Sequence, residues 1–374
     1  MGLDLGFERT FDIRVALDCN RAAVETIKKN RPKIPVIPKN ILKVKTSEIL
    51  GEADLSVGEP TVITGGAPCQ PFSTAGKRLS IGEATGTLVF EYLRVVKEAR
   101  PEYFVFENVA GLVTAAIKHI SFYERVKKRN DELAKEHQLG SAFEIIFAEF
   151  KQSGYHIAWG VLNAADFGAA QKRRRLIIIG SRDDPNISLP TPTHERPESD
   201  GVLNGRRKPW ITLREVLENL KEETPEFLPY PPSWGKYMKY IPEGGNWRNL
   251  PSKLQKRALG GAYGDTWKDR KGGRTGFYRR LRWSEPAPTL LTSPVYKCSA
   301  LAHPAENRPL SVREYAMIQG FPKSWVFLGG TPTKYRLIGQ AVPIALGKAI
   351  SHQILKSRAN RLKQIPVTLA PLRK

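Results

Sequence analysis

Between residues 13 and 180, short β-rich runs alternate with stretches of helical period, and this alternation restricts the chain more than any other feature. The runs are Ile13 to Leu17, Thr61 to Thr64, Tyr103 to Phe106, His156 to Val161 and Leu176 to Ile179. Helical spacing of apolar residues lies between them, most plainly from Leu88 to Ala99 and from Phe143 to Gln152. Such a sequence predicts an α/β fold with a doubly wound, mostly parallel sheet. Ligands of these sheets sit beyond the carboxyl ends of strands, so the loops that follow strands are where chemistry is expected.

After Arg182 the texture changes to Pro-rich segments and glycine pairs, which predicts a second, smaller, irregular domain. Helical spacing returns near Val312 to Gln319 and Ile344 to Leu355, in helices expected to pack back on the first domain. The expected division is 1–188, 189–276 and 277–374.

The chain of 374 residues has 59 Lys and Arg against 37 Asp and Glu, a formal net charge of +22. A surface with that surplus attracts polyanions through counterion release, although a solvated basic surface is the plainer reading. The charge is concentrated, however. From Arg248 to Arg282 the basic residues interleave with Trp267, Phe277 and Tyr278, and from Tyr315 to Lys374 there is no acid at all. Two basic zones therefore flank a common stretch, as a clamp on nucleic acid would.

No apolar run approaches the roughly 18 residues that a membrane span needs, and the first residues lack a basic-then-apolar leader pattern, so no membrane association is expected. Cys19, Cys69 and Cys298 are too few and too scattered for a disulfide framework or a metal knuckle, and the six histidines do not cluster. No metal is expected.

Three strand ends carry candidate chemistry. The strand Thr61 to Thr64 runs into GGAPCQPFS at Gly65 to Ser73, which sets the Cys69 thiol on a turn stiffened by Pro68 and Pro71. A lone cysteine is more often a small buried hydrophobe, but the crowding of glycine, proline and polar residues here weakens that reading. The strand Tyr103 to Phe106 ends in Glu107-Asn108-Val109, a carboxyl group at the same sheet edge or, more plainly, a helix cap. The third is Gln171 to Arg175, QKRRR, whose alternation directs Arg173 and Arg175 to one face; alone it would be a solvated basic run.

Together these segments resemble the cytosine-5 DNA methyltransferase family. The resemblance extends to RLRWSEPAPT at Arg280 to Thr289 and to RPLSVREYAMIQGFP and YRLIGQAVP between Arg308 and Pro343, all in the family's order. It covers nearly the whole chain except the variable middle. It implies the S-adenosylmethionine-dependent methyltransferase fold, with residues 1–188 as the catalytic and cofactor-binding domain, 189–276 as the target-recognition domain, and 277–374 returning to the first.

The resemblance also implies roles. Cys69 would be the nucleophile that adds to carbon 6 of cytosine, Glu107 the acid at ring nitrogen 3, and Arg175, with Arg173 beside it, the group that holds the base. Gln70, Ser73, Lys77 and Arg78 match the mobile loop that closes on DNA. The S-adenosylmethionine site would comprise Gly2, Asp18, Cys19, Asn40, Ile41, Pro68, Leu88, Gln340, Ala341 and Val342. Cys19 stands where many relatives carry an aromatic against adenine, Asn40 where they carry Asp, and Gln340 where they carry Asn.

One departure concerns the start. The family opens with a strand leading into a Phe-x-Gly-x-Gly loop, whereas Met1-Gly2-Leu3-Asp4 matches only the motif's last glycine, Gly2. The expectation is a sheet lacking its central strand, with unpaired neighbours and weak cofactor binding, so that either the start is misplaced, a separate chain supplies the strand, or the protein is defective. The resemblance implies a cytoplasmic, nucleoid-associated enzyme that acts on double-stranded DNA as a monomer, independently of any cognate restriction endonuclease. A transfer-RNA methyltransferase and a non-catalytic DNA-binding protein are the alternatives.

Overall fold

A computed structural model describes residues 1–66, 87–118, 120, 128–259, 276–296, 298 and 300–364. Its strands include β1 (Ala16–Leu17), β2 (Val36–Ile37), β3 (Val62–Gly65), β4 (Tyr103–Val109), β5 (His156–Asn163), β6 (Gln171–Lys172) and β7 (Arg174–Ser181). The central sheet has the order β3-β4-β7-β5. β3 and β4 are parallel, and β7 runs antiparallel to both β4 and β5, so three of the four strands point one way. β1 and β2 form a separate parallel ribbon. Among the described residues no strand pairs with the free side of β1 or of β3.

The apolar runs form the centre of this sheet because both of its faces are covered. Tyr103, Phe104, Val105 and Phe106 are all fully buried, as expected of a strand with helices on either side. Successive side chains alternate between two cores. Phe104 and Phe106 join Val89, Leu93 and Val96 of α4 (Thr87–Ala99) and Phe143, Ile146 and Phe150 of the helix Ser141–Lys151. Tyr103 and Val105 join Leu346, Ile350 and Ile354 of the long C-terminal helix Ile344–Gln364. Each such side chain contributes on the order of 2 kcal/mol by leaving water.

The C-terminal helix also holds the first helix, α1 (Gly2–Phe7). A Cβ on Gly6 would lie 2.5 Å from the Cα of Gly347, and one on Gly2 would lie 2.0 Å from the Val342 carbonyl oxygen. These backbones touch, so no side chain fits at either position. Arg358 and Arg361 then reach Glu102 just before β4, fixing the helix across the sheet.

Beyond residue 189 the packing runs across residue 276, where a boundary was expected. Tyr278, Ala300 and Ala302 share a core with Trp234, Met238, Ile241, Trp247 and Leu259. Leu213 and Leu217 instead join the C-terminal core with Leu310, Tyr315, Ile338 and Ile344. Arg280 organises the former region. Its guanidinium donates to the carbonyl oxygens of Met238, Ile241, His303 and Glu306 and to Oδ1 of Asn307. With little regular structure to pair these main-chain acceptors, one buried cation satisfies them.

Candidate active site

The site forms at the carboxyl ends of β3 and β4. At Gly65 a Cβ would fall 2.5 Å from the Tyr92 ring, and at Gly66 it would fall 2.8 Å from Oε2 of Glu107. The glycine pair thus allows an aromatic from α4 and a carboxylate from β4 to lie against the strand end. Tyr92 is fixed there with its hydroxyl 2.9 Å from the Val105 carbonyl. Glu107 pairs with Arg175, whose Nε lies 2.7 Å from Oε1, and both side chains are nearly enclosed, at 15% and 11% exposure. The antiparallel register of β4 and β7 brings them together, with Val109 opposite Arg175. Pro68, Cys69, Gln70, Ser73, Lys77 and Arg78 lie outside the described residues.

Arg173 and Arg175 do not share a role. Arg173 is 2% exposed, and its guanidinium donates to the carbonyls of Leu290 and Gly339. It therefore ties the start of β7 to two distant segments rather than presenting a charge beside Glu107. Gln171 and Gln319 extend this network. Gln171 accepts from the Leu290 amide and donates to Gln319, which donates to the carbonyls of Ile338 and Ala341. Arg173 and Gln319 thus grip the end of the helix Thr331–Gln340, just where Gln340, Ala341 and Val342 follow.

The expected cofactor residues gather around the ribbon and α1. Asp18 ends β1, partly exposed, and accepts from the Asn20 amide, while Asn20 caps α2 (Arg21–Asn30). Cys19 is exposed. The Asn40 side chain accepts from the Leu42 amide and so shapes the turn at Ile41. That turn is held from behind by Arg94 of α4, which donates to the Val44 carbonyl at 3.0 Å and to Ile41. Leu88 is partly buried on the same helix, Gln340 is exposed, and Ala341 and Val342 are buried. Gly2 meets Val342 through the backbone contact already described. Thr64 donates to Asp4 at 3.3 Å, joining α1 to β3. Among the described residues no three His, Cys, Asp or Glu side chains gather as a metal site would require, and no helix is long and apolar enough to cross a membrane.

The sequence profile of the C-5 cytosine-specific DNA methylases matches residues 1–356. The chain belongs to that family. It is 34% identical over 364 residues to the type II methyltransferase M.Sau96I of Staphylococcus aureus, covering 95% of this chain and 73% of that one. It is 36% identical over 365 residues to M.PspPI of Psychrobacter sp. (strain TA137), covering 95% and 76%. A solved protein encoded within an Escherichia coli prophage shares the fold with a TM-score of 0.59 at 21% identity, covering 96% of each chain. Membership makes this methylase an enzyme class with a methyl donor of the S-adenosylmethionine type.

Sequence reasoning did not single out Tyr92, Arg94 or Gln319 as parts of the site. They act through main-chain groups far away in sequence, and only Gln319, inside the YAMIQGFP stretch, lay in a segment that had drawn attention.

Proposed function

We propose that this methylase transfers a methyl group to carbon 5 of cytosine within a specific duplex DNA site, by way of a covalent adduct to Cys69. The observation that carries the reading is the enclosed Glu107–Arg175 pair beside Gly66, since the chain runs from that glycine into Cys69 within three residues.

Carbon 5 is a poor nucleophile until a thiolate adds at carbon 6. Addition moves electron density toward ring nitrogen 3, where the Glu107 carboxyl group stabilises it by hydrogen bonding. Arg175 keeps Glu107 oriented and holds the carbonyl oxygen at ring position 2, and Arg173 steadies the strand from below. Once carbon 5 carries the methyl group, its proton passes to solvent water, and the electron pair left behind restores the double bond and expels the Cys69 thiolate. A base stacked in a duplex cannot reach these groups, so the nucleotide is flipped into the pocket at a cost of about a few kcal/mol. Gln70, Ser73, Lys77 and Arg78 contact the DNA, and the region 189–276 reads the site.

The residues around the ribbon fit S-adenosylmethionine. Asp18 offers a partly exposed carboxylate to ribose hydroxyls, and Gly2 lets the α1 backbone close against Val342. Asn40, Ile41, Leu88 and Gln340 complete the cleft. When bound, this group supplies the methyl as an electrophile. The free sides of β1 and β3 leave room for further strand pairing next to the cofactor residues. The enzyme acts as a monomer on DNA in the cytoplasm, independently of a cognate endonuclease.

The test is to offer DNA containing 5-fluorocytosine together with S-adenosylmethionine. Fluorine cannot leave as the proton does, so a denaturation-resistant adduct is expected, and Cys69→Ser is expected to form none. A preparation active on ordinary cytosine that forms no adduct would refute covalent addition.

A further inference from the structure

Strand Arg279–Arg280 pairs with Leu301–Ala302 and turns its two arginines to opposite faces. Arg280 spends its whole guanidinium on the recognition core, as described above. Arg279 does the reverse. It is partly buried, its Nε is sealed from solvent without a hydrogen-bond acceptor, and no carboxylate among the described residues pairs with it. Burial pushes the guanidinium below its ordinary range, against the Tyr315 phenol and the Cys298 thiol, which favour its charge. Holding a cation this way is unfavourable, because a desolvated charge needs a partner.

We propose that Arg279 is an anion site that takes a backbone phosphate of the bound duplex. This rests on the DNA reading above and adds to it the residue that grips the backbone on the recognition side. Arg279 belongs to the basic stretch that begins at Arg248, and it neighbours Cys298, which is exposed, so an outside ligand can approach. Guanidinium suits phosphate because its planar fork donates two parallel hydrogen bonds, and it is less strongly hydrated than an ammonium. Tyr315 links the two arginine sites, since Arg279 and Arg173 both lower its phenol against the rise that burial causes. A phosphate on Arg279 would therefore lie on the side of the catalytic strand where Arg173 anchors Leu290.

The experiment measures binding of a short mixed-sequence DNA duplex over a range of KCl concentrations for the wild type, Arg279→Met and Arg279→Lys, with melting curves for each. Arg279→Met is expected to make the logarithmic salt slope shallower by about 0.9, the share of one phosphate contact. Its melting temperature should be equal or higher, because an unpaired cation is gone. Arg279→Lys should keep the slope while binding more weakly. If Arg279→Met keeps the wild-type slope and affinity, or melts lower with rescue by lysine, Arg279 is structural and the inference fails. A wild-type protein that holds no duplex at all overturns the DNA reading itself, and the inference with it.

Discussion

Arg173 and Arg175 at the central sheet, and Arg280 and Arg279 at the core around Trp234 and Tyr278, divide their work in parallel ways that end differently. In each pair one arginine is a buried scaffold, donating to carbonyls from distant segments. The other faces function. Arg175 already holds Glu107, whereas Arg279 holds no carboxylate among the described residues. If the Glu107–Arg175 pair acts as proposed, it must be aligned before the substrate arrives, because preorganised charge is what lowers the barrier. A binding charge gains more by waiting, since an internal partner would compete with the ligand.

The strongest challenge to this contrast is Glu107→Gln. It keeps the shape of the pocket and removes the acid, and methyl incorporation into duplex DNA is expected to fall on the order of 10²- to 10⁴-fold while DNA binding persists. Unchanged turnover would remove Glu107 from the chemistry. Gly66→Ala asks whether alignment itself matters. Its methyl group would press on Oε2 of Glu107, and a displacement of that kind is expected to cost about 10²-fold in rate with little change in melting.

The scaffold arginines give smaller effects of a different kind. Arg280→Met leaves buried carbonyls without donors and is expected to cost roughly 2 kcal/mol in denaturant unfolding of the recognition core. Calorimetric titration should show S-adenosylmethionine binding retained. Equal loss of both would mean that the two regions unfold as one. The mildest is Gln319→Leu, expected to cost about 1 kcal/mol and to raise the KM for the cofactor more than it lowers kcat, because Gln319 grips the residues before Val342.

Much of the sheet could be read in advance, because its central strands are buried on both faces and so appear as unbroken apolar runs. Tyr103 to Phe106 and Leu176 to Ile179 stand inside β4 and β7, which continue outward as far as Val109 and Arg174. Apart from Val109 those extra residues are polar or charged, and it is the register that keeps them in the sheet. Ile13 to Leu17 shortened to Ala16–Leu17 for a related reason, since only β2 pairs with it among the described residues. The helix at Ile344 runs on to Gln364, past the expected Leu355, because Ser357 donates to Asp184 and Arg358 and Arg361 pair with Glu102, which hold its last turns on the sheet. Of the site, Glu107 and Arg175 were legible as strand-end residues. That Arg173 turns away from them was not, since alternation alone put both on one face, and the acceptors that capture it are Leu290 and Gly339.

The contact between the first and last helices has a consequence for biosynthesis. Leu3 and Phe7 complete their core only with Leu346, Ile350 and Ile354, and the Gly6 carbonyl accepts from the Ser351 hydroxyl. These partners are separated by nearly the whole chain, so closing that loop comes late and slows folding. While the ribosome is still adding the recognition region, Tyr103 and Val105 lack the helix that covers them. The nascent methylase would therefore expose one apolar face of its sheet until the helix Ile344–Gln364 emerges, which makes that stage the one most open to aggregation.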